Sequence, residues 1–341
     1  VKKLSICLSL LLVLSFTLAG AVSCGGDDGP SEPVVLRLAC DRPEGSFDTV
    51  LLQQWAANFN ERAAGTNYSM EVYAGEALCS MDESLDMVRT GAVDMAFFDL
   101  QYASSRDVRL GAMGLPFVLD GPAALSKFSD IIKDTLYNDI MEEEFNQRLL
   151  SFQGQDFHTY CGNEPIHTLE DWAGLIIQTA STTETETVEA LGGAPTAMPF
   201  MDVVPSLEKS VIDGAVGWNA AAIYLLNAYD VVEYITTAPI SGIFATVTIN
   251  LDVFNDMPSD VKDIMLDEGE IWEAAIFDQF QDLMVTSYAS CEDANIDIYD
   301  LPADELARWR QATESVVDDF YAQLDAGDVQ ILKDAFEEAN Q

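Results

Sequence analysis

Histidine is scarce in this chain, which limits the chemistry open to it: only His158 and His167 are present. Neither belongs to an HExxH pair, and no GxSxG, P-loop, GxGxxG or EF-hand loop occurs. Metal-assisted hydrolysis, acyl transfer from a nucleophile elbow and nucleotide chemistry thus lack their usual carriers. Glu184 and Glu186 stand two apart. On a helix that spacing turns them to different faces, so they read as solvated helix charges and not as an acid/base pair. Of the six cysteines, no two have CxxC spacing, so no metal site is expected, and no cofactor either. What remains are groups suited to holding a small molecule. Arg42 and Glu44 sit in the loop Cys40–Phe47. Asp99 closes a strand, where it either faces a cleft or caps the helix that follows. Gly217, Trp218 and Asn219 end another strand, and Trp218 offers either a stacking surface or core packing.

The elements that must position these residues alternate between strand and helix. Val34–Ala39 reads as a strand, and Leu51, Leu52, Trp55 and Phe59 then share one helical face. Tyr68–Ala74 alternates as a second strand before Gly75. Met81, Leu85 and Val88 mark a helix ended by Gly91, and Val93–Phe98 is a third strand. A helical region spans roughly residues 122–144, and Leu149–Gln155 reads as a strand crossing to a second lobe. There Leu175–Ile177 is a strand. A helix carrying Val188 and Leu191 stops at Gly192-Gly193, and an apolar run reaches Phe200. Asp202 stands where an N-cap belongs, with its helix running to Val211-Ile212. Ala215–Trp218 is the next strand. Phe244–Ile249 returns the chain. Pro258 starts a long helix with Val261, Ile264 and Met265 on its apolar side. The tail from Pro302 is helical, burying Trp309, Val316, Val317 and Phe320. Phe98 and Phe200 read as core. Parallel strand–helix–strand units bind ligands at the strands' C-terminal ends.

The start of the chain has a different character. Lys2-Lys3, the apolar run Leu4–Leu18 and the small residues before Cys24 read as a secretory signal peptide over residues 1–23. Cys24 then resembles the lipidated cysteine of a bacterial lipobox; the alternative is an ordinary signal peptide cut nearby. Residues 24–33 form a polar Gly/Pro tether. Removing the leader takes the 341-residue chain to 318 residues and, with Lys2 and Lys3 gone, its net charge from −42 to −44. Such acidity argues against nucleic acid and anionic lipid surfaces as partners, and suits a saline setting or simply a solvated surface. Hydrophobic content of 49% argues against disorder. Export permits disulfides among Cys40, Cys79, Cys161 and Cys291; the strands preceding Cys40 and Cys79 should be neighbours, which favours a Cys40–Cys79 bridge over four free thiols.

Several segments, in order, resemble one family. LEDWAGLIIQ, ALGGAPTAMPF and VIDG look like the second lobe of DctP-type receptors, the extracytoplasmic binding proteins of ion-driven TRAP transporters. LRLACDRPEGS, VYAGEAL, TGAVDMAF and GLPFVL match upstream. The resemblance implies an α/β, two-lobed, periplasmic-binding-protein-like (type II-like) clam-shell with hinge strands and a long helix spanning both lobes. Residues 34–153 with part of 243–341 would form lobe I, and 154–242 with the remainder lobe II. A monomer would bind a small solute between the lobes and pass it to membrane permease subunits. An arginine that normally pairs with a substrate carboxylate is implied at the position of Gln178, and a second basic residue at that of His158. Glutamine offers one neutral amide in place of a charged fork. The expected ligand is therefore a small polar solute, neutral or cationic, not an arginine-anchored monocarboxylate. The alternatives are an organic acid held by His158 and Arg42, an ATP-driven uptake receptor of similar shape, and a secreted enzyme.

Overall fold

The computed structural model describes residues 32–341. The expected signal peptide, the Cys24 lipid site and most of the tether lie outside the described residues. In chain order the elements are β1 (Val34–Cys40), α1 (Phe47–Arg62), β2 (Tyr68–Tyr73), α2 (Met81–Arg89), β3 (Met95–Phe98), α3 (Pro122–Ile132), α4 (Asn138–Phe145) and β4 (Gln147–Gly162). Then come β5 (Ile176–Thr179), α5 (Thr182–Leu191), β6 (Ala194–Ala197), α6 (Val203–Glu208), β7 (Gly214–Trp218), α7 (Ala220–Leu226) and β8 (Tyr234–Asn250). The chain finishes with α8 (Leu251–Asp256), α9 (Ser259–Asp293), β9 (Asp297–Asp300), α10 (Ala303–Ala312), α11 (Glu314–Tyr321) and α12 (Ala326–Ala339).

One mixed sheet runs β2-β1-β3-β8-β4-β7-β5-β6, with β9 beside β8. At one end β1 pairs in parallel with β2 and β3; at the other β5 pairs in parallel with β6 and β7. The long strands β4 and β8 join the two ends. Their antiparallel ladder runs from Gln147↔Asn250 to Gly162↔Tyr234. β3 takes the C-terminal part of β8, and β9 takes its N-terminal part. The β4–β8 register shifts at Leu149/Ser151, Gly154/Asp156 and His158/Tyr160. Such bulges bend a strand and re-aim its side chains.

Each lobe covers both faces of its part of the sheet. In lobe I one face packs Leu36, Leu38, Trp55 and Phe59 under α1. The opposite face packs Phe98, Phe128, Phe152 and Phe336 against α3 and the C-terminal α12. In lobe II, Trp218, Ala215 and Leu207 lie on one face, and Trp172, Ile177 and Trp309 on the other. The long helix α9 has 35 residues, about 52 Å at 1.5 Å per residue. Val261, Met265, Trp272 and Ile276 enter the lobe I core, while Phe280, Met284 and Cys291 enter lobe II. A single helix therefore braces both halves.

The helical tail buries Trp309, Val316 and Phe320 as its spacing implies, with Val317 half-buried. α6 ends at Glu208, short of the expected Val211-Ile212. Asp202 makes no side-chain cap there, and Ser210 turns at φ 51° with the Val211 N–H returning to the Ser206 carbonyl.

The expected Cys40–Cys79 bridge is not formed, and the four described cysteines are free, buried thiols. Neighbouring strands do not suffice for a disulfide. Cys40 packs on the α1 face of the sheet and Cys79 on the opposite face. Cys40 lies 3.7 Å from Thr49 Oγ1, and Cys79 3.5 Å from Ser84 Oγ. Burial pushes the Cys40 and Cys291 thiols up to about 11 and Cys161 to about 12, away from the reactive thiolate. Peptide mapping after alkylation of the folded protein should leave Cys40, Cys79, Cys161 and Cys291 unmodified, and alkylation in denaturant without reductant should label all four. A disulfide-linked peptide pair would contradict this arrangement.

Candidate functional site

The loop after β1 brings Arg42 to the C-terminal edge of the lobe I strands. Local bonds fix it: the Gly75 N–H donates to the Arg42 carbonyl, Thr49 Oγ1 donates to the Pro43 carbonyl at 3.1 Å, and Ser46 Oγ caps α1 through the Thr49 N–H. The Arg42 side chain is 40% exposed, and its guanidinium carbon lies 5.7 Å from the centre of the Phe97 ring. It is already partnered. Nη1 is 3.1 Å from Asp41 and Nε 4.0 Å from Asp48. Burial works against its charge, but Asp41, Asp48 and Asp99 outweigh burial and hold its pKa above the usual value. Burial in turn lifts the Asp48 carboxyl to about 6 despite Arg42.

Asp99 follows β3 and caps the turn after it. Its carboxylate accepts the Gln101 N–H at 2.9 Å, capping a short 3-10 turn over Leu100–Ser105. Burial raises its pKa, opposed by that bond and by the nearby charges of His158 and Arg42, with Glu184 adding repulsion. Gln101 Nε2 reaches the Gly242 carbonyl on β8 at 2.8 Å, tying this lobe I loop to the crossing strand.

From lobe II comes a buried polar knot that centres on Glu184. The sequence reading of this residue as a solvated charge is corrected: it is 1% exposed. His158 Nδ1 is 3.0 Å from Glu184 Oε1 and 3.1 Å from Ser241 Oγ, and Ser241 donates to the same Oε1 at 2.6 Å. The Ala180 N–H donates to Glu184 Oε2 at 2.7 Å. Burial alone would raise the carboxyl's pKa. Bonds from His158, Ser241 and Ala180 overcome it, so Glu184 is held below the usual carboxylate range and stays ionised at neutral pH. A signal for this was present: Ser181-Thr-Thr-Glu184 has capping-box spacing, and Ser181 Oγ does accept the Glu184 N–H. The carboxylate, though, bonds Ala180 and the crossing strands instead of Ser181.

Gln178, on β5, is 1% exposed; its Nε2 donates to the Met198 carbonyl at 3.2 Å, and its Oε1 is buried without a partner. Gly217 on β7 packs closely against this pair. A Cβ there would meet Ala180 Cβ at 3.1 Å and stand 3.5 Å from both Gln178 Oε1 and Glu184 Oε2.

Other expected contacts fall elsewhere. Trp218 is fully buried in the lobe II core, 5.4 Å from the Phe200 ring. Phe200, expected in the core, is instead 44% exposed, because Trp218 fills the interior beneath it. Asn219 is 3% exposed and caps α7 through the Ala221 and Ala222 N–H groups. Glu44 is exposed and accepts from Gln53 at 2.7 Å, outside the cluster. Sequence reasoning missed Ser241, Asp41 and Asp48. No group of three or more His, Cys, Asp or Glu side chains suited to a metal occurs among the described residues.

This chain is thus two α/β lobes on a flexed pair of crossing strands, with polar side chains from each lobe meeting at the crossing. Residues 42–324 match the family described as bacterial extracellular solute-binding protein, family 7, also called DctP. The chain belongs to family 7. Among family relatives is the C4-dicarboxylate-binding periplasmic protein DctP of Rhodobacter capsulatus, 24% identical over 318 residues, spanning 89% of this chain and 92% of that one. A TRAP periplasmic solute-binding protein of Chromohalobacter salexigens with bound D-glucuronate superposes with a TM-score of 0.80 at 18% identity, covering 89% of this chain and 99% of that one. A Bordetella pertussis extracytoplasmic solute receptor binding pyroglutamic acid gives 0.78 at 18% identity, with coverage of 89% and 99%. Family 7 membership makes the chain an extracytoplasmic solute receptor, and the two-lobed fold is shared with these structures. No described helix is long and apolar enough to cross a membrane.

Proposed function

We propose that the chain is the receptor of a TRAP-type transporter, closing its lobes on one small polar solute and delivering it unchanged to the membrane permease. The supporting observation is the junction at the β4–β8 crossing. Asp99 from lobe I lies within electrostatic reach of Arg42 in its own lobe and of His158 and Glu184 from lobe II, beside the register shifts of the β4–β8 ladder. A solute bridging the two sets would favour the closed arrangement by its contacts to both, which is how a ligand shifts such an equilibrium. The Cys24 anchor would hold the receptor near its permease.

An organic acid held by His158 and Arg42 is the competing reading, and the relatives bind dicarboxylate, pyroglutamate and glucuronate by name. Against it, both bases are already occupied here by acidic side chains of the chain itself. A ligand carboxylate would have to displace them.

Native mass spectrometry of the protein equilibrated with a pool of small polar solutes should reveal one solute per chain. The same solute should be recovered at unchanged mass after prolonged incubation, and scattering should show compaction on binding. A converted product would mean an enzyme, and a pool that leaves both mass and size unaltered would remove the receptor reading.

A further inference from the structure

We infer that the solute presents a positively charged nitrogen group with N–H donors, an ammonium or amidinium, to the buried junction where Gln178 Oε1 and Glu184 Oε2 converge beside Gly217. This rests on the receptor reading above and names the class of ligand for that same site. Three observations lead to it.

The first is an acceptor with nothing to accept. Gln178 Oε1 is buried and unpartnered. The amide cannot simply flip to relieve this, because Nε2 already donates to the Met198 carbonyl and a flip would set two carbonyl oxygens against each other. Buried carbonyl oxygens are satisfied in native proteins, so a donor from outside the chain belongs here. The second is a fixed negative charge at the same spot. Glu184 Oε2 accepts the Ala180 N–H and, like Gln178 Oε1, stands 3.5 Å from where a Gly217 Cβ would be, while Glu184 Oε1 is held by His158 and Ser241. A neutral hydroxyl would satisfy the geometry of the two oxygens; a cation also satisfies the charge, where low dielectric makes that attraction strong.

The third is the balance of charge around this junction. Arg42 is the permanent cation, against Asp41, Asp48, Asp99 and Glu184, with His158 paired to Glu184. Arg42 is engaged by Asp41 and Asp48, and His158 by Glu184. The position implied for a carboxylate-gripping arginine thus carries an amide, and the chain's own Glu184 carboxylate stands beside it. Net charge of −42 would also concentrate cations at the surface and repel acids.

The test uses agmatine and putrescine as amine probes, D-glucuronate and pyroglutamate as carboxylate probes and D-glucose as the neutral one. Binding to the purified protein is measured by calorimetry at high salt, which suppresses loose association with the acidic surface. Compaction is followed by scattering. Glu184→Gln should weaken amine binding roughly a hundredfold, and Gln178→Leu about tenfold. Gly217→Ala, whose methyl fills the approach while leaving the Glu184 bonds intact, covers the case in which Glu184→Gln does not fold; it should abolish binding. Amine binding that follows this pattern supports the inference. Binding of carboxylates or glucose without amines overturns it and leaves the receptor reading standing, as does amine binding unchanged in the variants that fold. No binding or compaction with any probe overturns both.

Discussion

Replacing Gly269 by alanine should destabilise the protein by about 1–3 kcal/mol, and by valine more, although the position lies inside a helix. Local propensity argues for the opposite result. Glycine in a helix interior is about 1 kcal/mol worse than alanine, so the substitution would ordinarily stabilise. Packing reverses the sign. α9 crosses β4 so closely at this point that an added Cβ would stand 2.5 Å from the Leu150 carbonyl oxygen and 3.3 Å from its carbonyl carbon. Backbone cannot swing aside as a flexible side chain can, so helix and strand must separate. That loosens Trp55, Trp272 and Leu150, which share one core cluster. Because α9 also carries Phe280 and Met284 into lobe II, the separation would reach both halves. Urea unfolding read by tryptophan fluorescence should place the alanine variant's midpoint below that of the parent. A higher midpoint would show that the helix and β4 are not in contact here.

Lys133→Ala should cost about 3 kcal/mol near neutral pH. Lys133 Nζ is 2.7 Å from Glu273 Oε1, and the two side chains are 14% and 9% exposed. The same oxygen accepts the Phe152 N–H at 2.8 Å, so Glu273 joins α9, β4 and the segment after α3. Burial pushes the Glu273 carboxyl above the usual value even with Lys133 pulling it down. Removing the lysine raises it further. The sign of the pH dependence follows. Below the unfolded-state pKa the carboxyl is protonated in both states and the variant is penalised little. As pH rises through the raised folded-state pKa, the unfolded chain gains by ionising and the fold loses stability. The deficit should accordingly shrink towards about pH 5 and be greatest near about pH 8. A Lys133→Met, Glu273→Leu double variant should recover part of it, since the uncompensated charge is gone. Chemical denaturation of the three proteins at both pH values measures this. A deficit that does not vary with pH would mean the loss is one of packing alone.

Sequence periodicity disclosed the elements because burial of one face is a local property. The stripe Leu51, Leu52, Trp55 and Phe59 predicted α1, Pro258 predicted the start of α9, and both are found. The parallel order of β5, β6 and β7 was equally legible from its alternation with helices. Periodicity does not say which buried face meets which. Cys40 and Cys79 end up on opposite faces of the sheet. The aromatic pair Trp218 and Phe200 is sorted by the fold into interior and surface.

By itself, the sequence determined a two-lobed receptor of family 7 and the amide at position 178, where the resemblance implies an arginine. Only the tertiary structure decided what stands around that amide. Glu184 reads from its own helix as one more surface acid in a chain with 58 Asp and Glu residues. It becomes the centre of a buried polar knot because Ala180, His158 and Ser241, up to 57 residues away, supply its partners when β4 and β8 cross. A carboxylate's role depends on the donors that surround it when water is gone, and those donors are brought together by the fold, not by their order along the chain.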